Sequence, residues 1–286
     1  ILMKMLLKTR PYELEKGATD AAYHASLADV EAALETQGIA HKERLRLIGE
    51  ALARTRERFA ALDVRYDTSR PLVGVVGEIF CRLNTFANAD VIRLLEEQGA
   101  ECWLSDVSEW VWYVDDEHKR RLALQHRVLS KESLGRWIRA SVQRSDEHAL
   151  LEPFAEEFIG YEEAHDVREI LELSQPYLPY TGALGEMVLS TGKCVFLYRK
   201  GADGLIDISP FTCMNGIVTE AIYPVVQRDC DGIPIRTFYF DGTQSNLERD
   251  IGIFIELAKT YQRRKKTERR FPAAFLAGAG EEKVAV

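Results

Sequence analysis

The pattern of apolar and polar positions predicts a chain of helices interrupted by short buried strands. From about Asp20 to Ala61, apolar residues recur at helical spacing, and "ERLRLIGEALARTRERFAAL" predicts a strongly amphipathic helix. After Pro71, "LVGVV" is a short Val-rich run, typical of a strand that is covered on both faces of a parallel sheet. The helix "ADVIRLLEEQ" and the strand "AECWLSD" follow, so this stretch is predicted to form one βαβ unit.

A second α/β stretch follows a long helical insertion. The insertion runs from "EWVWYV" to "EPFAEEF", and its Trp110, Trp112 and Trp137 are expected to pack in the core. Further on, "GALGEMVLSTGKCVFLYRKG" has a helical pattern, although "KCVFLY" alone also suits a strand. "LIDIS" and "RTFYF" are predicted strands with the helix "GIVTEAIYPVVQR" between them, and a connection that contains a helix implies that they pair in parallel.

These patterns together predict an α/β fold. We expect two lobes with short parallel sheets flanked by helices, plus the helical insertion. The predicted domains are residues 1–165, with the N-terminal helices, the first α/β lobe and the insertion, and residues 166–286, with the second α/β lobe and a C-terminal helix.

Composition and charge exclude several classes of protein. The 286-residue chain has a net charge of -8, which argues against a nucleic-acid partner. No apolar run approaches the roughly 20 residues needed to cross a bilayer, so no membrane association is expected. The five cysteines are widely spaced without a CxxC motif, which suits a reducing cytoplasm. Because the chain begins with Ile1 rather than Met, we expect it to be the C-terminal part of a longer protein.

The generic enzyme motifs are absent from this sequence, so the candidate site depends on the predicted fold. There is no phosphate loop, no GxGxxG, no GxSxG and no HExxH. Ligands of open parallel sheets bind at the carboxyl ends of the strands. Three loops qualify: Gly77 to Asn88, with Glu78, Arg82 and Asn84; Asp106 to Glu109; and Ser209 to Gly216, with Cys213.

Cys213 is the candidate with the most chemistry, because it stands where a strand is followed by a helix. A helix N-terminus favours a thiolate, which can act as a metal ligand or a nucleophile. The alternative is a half-buried cysteine that packs as a small apolar residue. Cys81, Cys102 and Cys194 are expected to pack in the core, and Cys230, in "RDCDG", is expected to be exposed and inert.

Several blocks of the sequence resemble one known family. They are "RPLVGVVGEIFCRLNTFANADVIRLLEEQGAECWLSD" and "GALGEMVLSTGKCVFLYRKGADGLIDISPFTCMNGIVTEAIYPVV" followed by "GIPIRTFYFDG". The chain resembles the 2-hydroxyglutaryl-CoA dehydratase D-component family, in its branch within the CoA-substrate-specific activase proteins. This resemblance implies α/β lobes that hold an iron–sulfur (4Fe–4S) cluster, which passes an electron to an acyl-CoA thioester. It also implies ATPase modules upstream in the same chain.

The resemblance assigns a role to one residue of this chain. Cys213 matches the last cluster-binding cysteine of the family, and we assign it as the metal and cofactor ligand. A second family cysteine, in the pattern DD-x-C-x-G-x-R-Y, corresponds to Ser108 in "SDVSEWVWY", and the remaining one lies before Ile1. Since a four-iron cluster takes about four ligands, we expect a cluster in the full-length protein and none in this chain alone.

Two functions therefore stay open at the level of the sequence. One is a cytoplasmic redox lobe of anaerobic metabolism, linked to acyl-CoA dehydration or reduction, with its iron–sulfur cluster completed by upstream residues or a second subunit. The other is a metal-free scaffold that docks a partner. A CoA-binding lobe is a third reading, which Arg82 alone supports. The expected partners are the upstream activase modules, a dehydratase or reductase, or a second copy; whether the chain is itself an enzyme is left open.

Overall fold

The computed structural model describes residues 1–126, 130–183, 185–242 and 246–278, which fold into helices and four short strands. The strands are β1 Leu72–Gly77, β2 Glu101–Leu104, β3 Gly204–Pro210 and β4 Ile235–Phe240. The helices are α1 Leu2–Thr9, α2 Ala18–Glu35, α3 His41–Ala60, α4 Ile79–Leu83, α5 Val91–Glu97, α6 Val107–Leu124, α7 Lys131–Leu151, α8 Val167–Ser174, α9 Glu186–Arg199, α10 Met214–Asp229, α11 Leu247–Gln262 and α12 Ala273–Gly278.

The four strands form one parallel sheet in the order β2-β1-β3-β4. Every residue of β1 is buried, as the Val-rich run predicts for a central strand with helices on both faces. A Cβ on Gly74 would lie 2.5 Å from Leu197 of α9, whereas a Cβ on Gly204 would lie 2.8 Å from Phe254 of α11. Gly74 and Gly204 point to opposite faces of the sheet because Gly204 is in register with Val73. The α/β class with a parallel sheet flanked by helices is therefore confirmed.

Two βαβ units build this sheet from its centre outward. The crossover through α4 and α5 leads from β1 to β2, and α10 leads from β3 to β4. The parallel pairing predicted for "LIDIS" and "RTFYF" is confirmed, with Ile206 in register with Arg236. The helical interpretation of residues 186–199 is confirmed as well, so "KCVFLY" is not a strand.

The chain forms two compact units that interleave along the sequence. One unit comprises Ser69–His118 and Gly160–Arg270 and contains the whole sheet. The other comprises Ile1–Thr68, Lys119–Ile159 and the chain from Phe271 onward, and it is helical as far as the structure describes it. No helix among the described residues is both long enough and apolar enough to span a bilayer.

The expected boundary between residues 165 and 166 falls inside the sheet-containing unit. Residues on each side of it contribute two strands to one sheet, where we had expected a separate sheet in each lobe. The difference arises from the pairing of β1 with β3, five residues of which are in register. Apolar patterning shows that a strand is buried but does not specify the strand beside it.

The helical unit has a small core of its own. Met5, Leu6 and Leu7 of α1 are buried, as is Phe59 at the end of α3. The ring of Phe275 in α12 stacks on Tyr66, with 4.3 Å between the ring centroids. Aromatic pairs at such distances add to the burial of apolar surface, which holds the C-terminal helix against the N-terminal segment.

Candidate functional site

The site lies where the two βαβ units diverge. Because β2 is beside β1 and β4 is beside β3, the crossovers lead away from each other at the carboxyl ends of β1 and β3. Such a divergence leaves a crevice at the carboxyl edge of a parallel sheet, where ligands of this fold class bind. Two of the three loops expected from the sequence, those after β1 and β3, therefore border the same crevice.

Gly77 holds these two loops close together. Its φ of +117° is a conformation that side chains rarely adopt, and a Cβ on it would lie 2.1 Å from the carbonyl oxygen of Ile208. The next residue, Glu78, donates its backbone N–H to that carbonyl at 2.9 Å. The carboxylate of Glu78 also accepts from the backbone N–H of Cys81 at 2.7 Å and so caps α4. The end of β1 is thereby fixed against β3.

Cys213 is the N-cap residue of α10, as the sequence predicts for a strand that passes into a helix. It is half-buried, and its side chain makes no capping hydrogen bond. The preceding Thr212 has a φ of +68°, which is strained for a β-branched residue. Strained backbone of this kind is concentrated at functional sites, because the surrounding structure has to maintain it.

Cys81 lies in the helix that follows β1, and it is buried, as the sequence predicts. Its helix α4 begins at the end of β1, which Gly77 and Glu78 fix against β3, the strand that leads to Cys213. Burial, followed by the carboxylates of Glu78 and Asp207, raises the pKa of Cys81 to about 11, so this thiol is protonated at neutral pH. Both cysteines thus closely follow buried strands that end at one edge.

The two thiols do not complete a metal site within this chain. Among the residues that the structure describes, no three His, Cys, Asp or Glu side chains are grouped so that they can hold a metal ion. Ser108, which the sequence resemblance aligns with a cluster cysteine, is half-buried in the first turn of α6, after the outer strand β2. The described residues therefore do not fit a complete four-iron cluster, which takes about four ligands.

Arg82 is a buried cation beside this crevice. Its Nη1 donates to the carbonyl oxygen of Ser105 at 2.7 Å, and its Nε has no hydrogen-bond partner among the described residues. Burial lowers the pKa of Arg82, whereas nearby carboxyl groups, with Glu109 and Asp207 foremost, favour its charge. Because acidic groups outnumber it here, Arg82 does not make a basic pocket of the kind that CoA phosphates need.

Asn84, the other polar residue predicted in the loop after β1, has a local role. It is the C-cap residue of α4, and its Oδ1 accepts from the backbone N–H of Ala87 at 3.1 Å. Such a side-chain-to-backbone bond stabilises the turn that follows a short helix. The position of Asn84 is thus explained by the loop itself, without a ligand.

Lys193 and two carboxylates form a buried ion network behind the crevice. The Nζ of Lys193 donates to Glu109 at 2.7 Å and also to Glu163, which accepts from the indole N–H of Trp103 at 2.7 Å. Burial opposes the charge of Lys193, but the two carboxylates prevail and raise its pKa above the ordinary value. Burial raises the pKa of Glu109. This network joins α9 to the start of α6 and so fixes one wall of the crevice.

Asp207 is a buried acid on the central strand β3. Its Oδ2 accepts a hydrogen bond from Thr219 at 2.9 Å and another from the hydroxyl of Tyr223, both on α10. Its Oδ1 has no hydrogen-bond partner among the described residues and faces Gly77. Burial raises the pKa of Asp207 to about 6. The signal in the sequence was an aspartate within the apolar run "LIDIS", to which we had assigned no role.

Exposed apolar side chains follow both central strands, in the segments after β1 and β3. We call this set the apolar rim; its members follow β1 or β3, and Phe86 is 95% exposed. They are Phe80, Leu83, Phe86, Phe211, Met214 and Ile217. Large apolar residues that are exposed together at the edge of a polar site mark a surface that binds a partner or ligand.

Two expectations about single residues are wrong. Cys230 is buried, because it caps the end of α10 and its carbonyl accepts from the hydroxyl of Tyr261 on α11 at 3.4 Å. Trp137 is 61% exposed on α7, where we expected core packing. In both cases the outcome depends on which helix covers the residue, and sequence neighbours do not report that. Cys102 and Cys194 are buried as expected.

Comparisons of this chain with protein-family models, curated proteins and solved structures find no match. The functional argument therefore depends on the geometry of the crevice, together with the resemblance of the sequence blocks.

Proposed function

We propose that the sheet-containing unit docks a partner polypeptide over the crevice and brings Cys213, with Cys81, to an iron–sulfur redox centre that the partner completes. One observation carries this proposal: a half-buried thiol stands at the divergence of the two βαβ units, with a second thiol in the helix after β1 and exposed apolar side chains after both β1 and β3. A docked partner would remove the apolar rim from water, which favours association.

The need for a partner follows from the number of ligands. A four-iron cluster takes about four thiolates or substitute ligands, and the crevice offers two thiols. Upstream activase modules of the same polypeptide, a dehydratase or reductase, or a second copy are the proposed sources of the rest. The proposed role is cytoplasmic electron transfer linked to acyl-CoA dehydration or reduction, as the resemblance of the sequence blocks implies.

The second candidate function is a docking module without metal. Ser108 in place of a family cysteine favours it, and so does the pKa of Cys81, which burial raises to about 11 and which resists formation of the thiolate that iron requires. In this case the apolar rim binds the same partner, and Cys213 packs as a small side chain.

Iron analysis separates the two candidates. The native polypeptide that contains this chain should be purified without oxygen from its own cells, with its partners bound, and assayed for iron and acid-labile sulfide. We expect both in equal amounts, and a severalfold loss of both in Cys213→Ser and in Cys81→Ser. The matched control is Cys230→Ala, because this cysteine lies at the opposite end of α10 and its removal should leave the iron unchanged.

Two results would contradict the metal centre. One is an iron-free protein that still holds its partner, and the other is an iron content that is unchanged in both crevice variants. Either result leaves the metal-free docking module as the function. Docking is tested separately, by measuring whether variants of the apolar rim lose the partner. Such a loss supports docking whether or not the site holds metal.

A further inference from the structure

Strand β4 forms one edge of the sheet, and no strand among the described residues lies on its outer side. The N–H of Leu205 in β3 donates to the carbonyl oxygen of Pro234 at 2.9 Å, so Pro234 and every second residue after it direct their backbone groups toward β3. The residues between them direct theirs outward. Two of these are Ile235 and Thr237, and neither makes an outward backbone hydrogen bond within the described parts of the chain.

The chemistry of this edge selects an extended chain as its occupant. N–H and C=O groups at alternate residues of a strand are matched by another β-strand, and many natural edges carry lysine, proline or a bulge that prevents such pairing. β4 has the sequence "IRTFYF", which is rich in β-branched and aromatic residues and has one charged side chain, Arg236. This edge is therefore suited to accept a further strand.

A second copy of β4 fits the edge in one antiparallel register. When a two-fold axis passes through Thr237, every residue of β4 that points outward lies opposite another such residue of β4. The two Thr237 residues then exchange two backbone hydrogen bonds. If the axis passed through Arg236 instead, two arginines would lie directly opposite each other, which is destabilising.

The side chains are complementary in the same register. Ile235 lies opposite Tyr239 of the second copy and Arg236 lies opposite its Phe238, and pairs of both kinds favour association. Within one copy, Arg236 lies over the ring of Phe238, 5.4 Å from the centroid, so these two side chains share a face of the sheet. Oγ1 of Thr237 has no hydrogen-bond partner among the described residues, and a cross-strand pair of threonines supplies one.

We propose that the protein forms a two-fold symmetric dimer through β4, in which two four-stranded sheets join antiparallel with Thr237 at the axis. The interface is at the side of the sheet and does not depend on the crevice or on its proposed redox centre. Because a single pair of strands buries little surface, the dimer is expected to dissociate on dilution.

The first test is the mass of the intact protein as a function of its concentration, measured by sedimentation equilibrium. We expect a dimer in the wild type and a dimer at least about tenfold weaker in Thr237→Pro, because proline removes the outward N–H without removing a bond to β3. Thr237→Val is the matched control, since it keeps the N–H and the preference for strand, and it should weaken the dimer much less. Circular dichroism checks that both variants are folded.

The second test does not depend on the folding of the proline variant. Thr237→Cys places two thiols at the axis, where opposite Cα atoms lie about 5.5 Å apart, within the range of a disulfide. Under mild oxidation we expect a covalent dimer to form faster than in the wild type or in Thr260→Cys, a control at an exposed position of α11.

Four results would overturn the proposal. They are a wild type that is monomeric at every concentration, a dimer that Thr237→Pro leaves unchanged, and a Thr237→Cys variant that cross-links no faster than Thr260→Cys. The fourth is a monomer that co-purifies with a different polypeptide and loses it in Thr237→Pro, which would assign the edge to a strand of that polypeptide.

Discussion

The two ends of the parallel sheet differ in how their buried charged side chains are paired. At the amino end, each buried carboxylate has a cation beside it: Asp203 lies 2.7 Å from Lys265, and Glu101 lies 2.7 Å from Arg269. At the carboxyl end, Lys193 is paired with Glu109 behind the crevice, but Arg82 and Asp207 are buried and make no ion pair with the described residues. Large apolar side chains are exposed only a few residues away, in the apolar rim.

This difference indicates that the two ends serve different purposes. The ion pairs at the amino end connect the segment after α11 to the strands. Unpaired buried groups at the carboxyl end cost free energy, and a fold keeps such costs where chemistry or binding needs them. The amino end is accordingly assigned to stability and the carboxyl end to function, which leads to three predictions.

The largest expected effect comes from removing one cation at each end. Arg269→Met leaves the buried carboxylate of Glu101 without the Arg269 cation, and we expect the free energy of unfolding to fall by about 3–5 kcal/mol. Arg82→Met removes a buried cation that has no ion-pair partner among the described residues but leaves the carbonyl of Ser105 without its donor, and it should cost about 1–3 kcal/mol. Urea denaturation of both variants gives the comparison. Equal losses would show that Arg82 is as structural as Arg269.

The second effect is the pH dependence that Asp207 adds at the carboxyl end. Its pKa is about 6 in the folded chain, against roughly 4 in an unfolded one. In between, the folded state binds a proton that the unfolded state has released, so stability falls as the pH rises through this window. A difference of about two units corresponds to about 3 kcal/mol.

Asp207→Asn should remove that part of the slope, since the amide does not titrate in this range. The measurement is the free energy of unfolding of the wild type and the variant from pH 4 to pH 7, taken as a difference at each pH. A difference that stays constant with pH would mean that burial does not raise the pKa of Asp207.

The smallest effect on stability, and the most specific effect on function, is expected from the apolar rim. Phe86→Ser and Phe211→Ser change exposed side chains, so each should alter the free energy of unfolding by less than about 0.5 kcal/mol. Both should weaken binding of the partner that we propose to dock over the crevice. Leu257→Ser, on the exposed side of α11, is the matched control and should release nothing. Retention of the partner by both rim variants would remove the docking role from the carboxyl end.

The sequence could predict the elements of this fold because their signals are local. The Val-rich run "LVGVV" predicted β1 as a buried strand, "LIDIS" predicted β3, and the helix between "LIDIS" and "RTFYF" predicted their parallel pairing. Cys213 was placed correctly because a strand followed at once by a helix fixes the thiol at the helix N-terminus. The presence of a site at the carboxyl edge follows from the same rule, since parallel strands all end at one side.

Tertiary structure alone decided what these elements contact. Apolar patterning does not distinguish one sheet from two, so the sequence could not predict the pairing of β1 with β3, which brings the loops of Cys81 and Cys213 to one edge of the sheet. The sequence could not predict the ion pairs of the buried arginines either. Its local pattern does not distinguish Arg82 from Arg269, but Arg269 pairs with a buried carboxylate and Arg82 pairs with none among the described residues. Partners in packing and electrostatics come from residues distant along the chain, and their arrangement is fixed only when the helices close over the sheet.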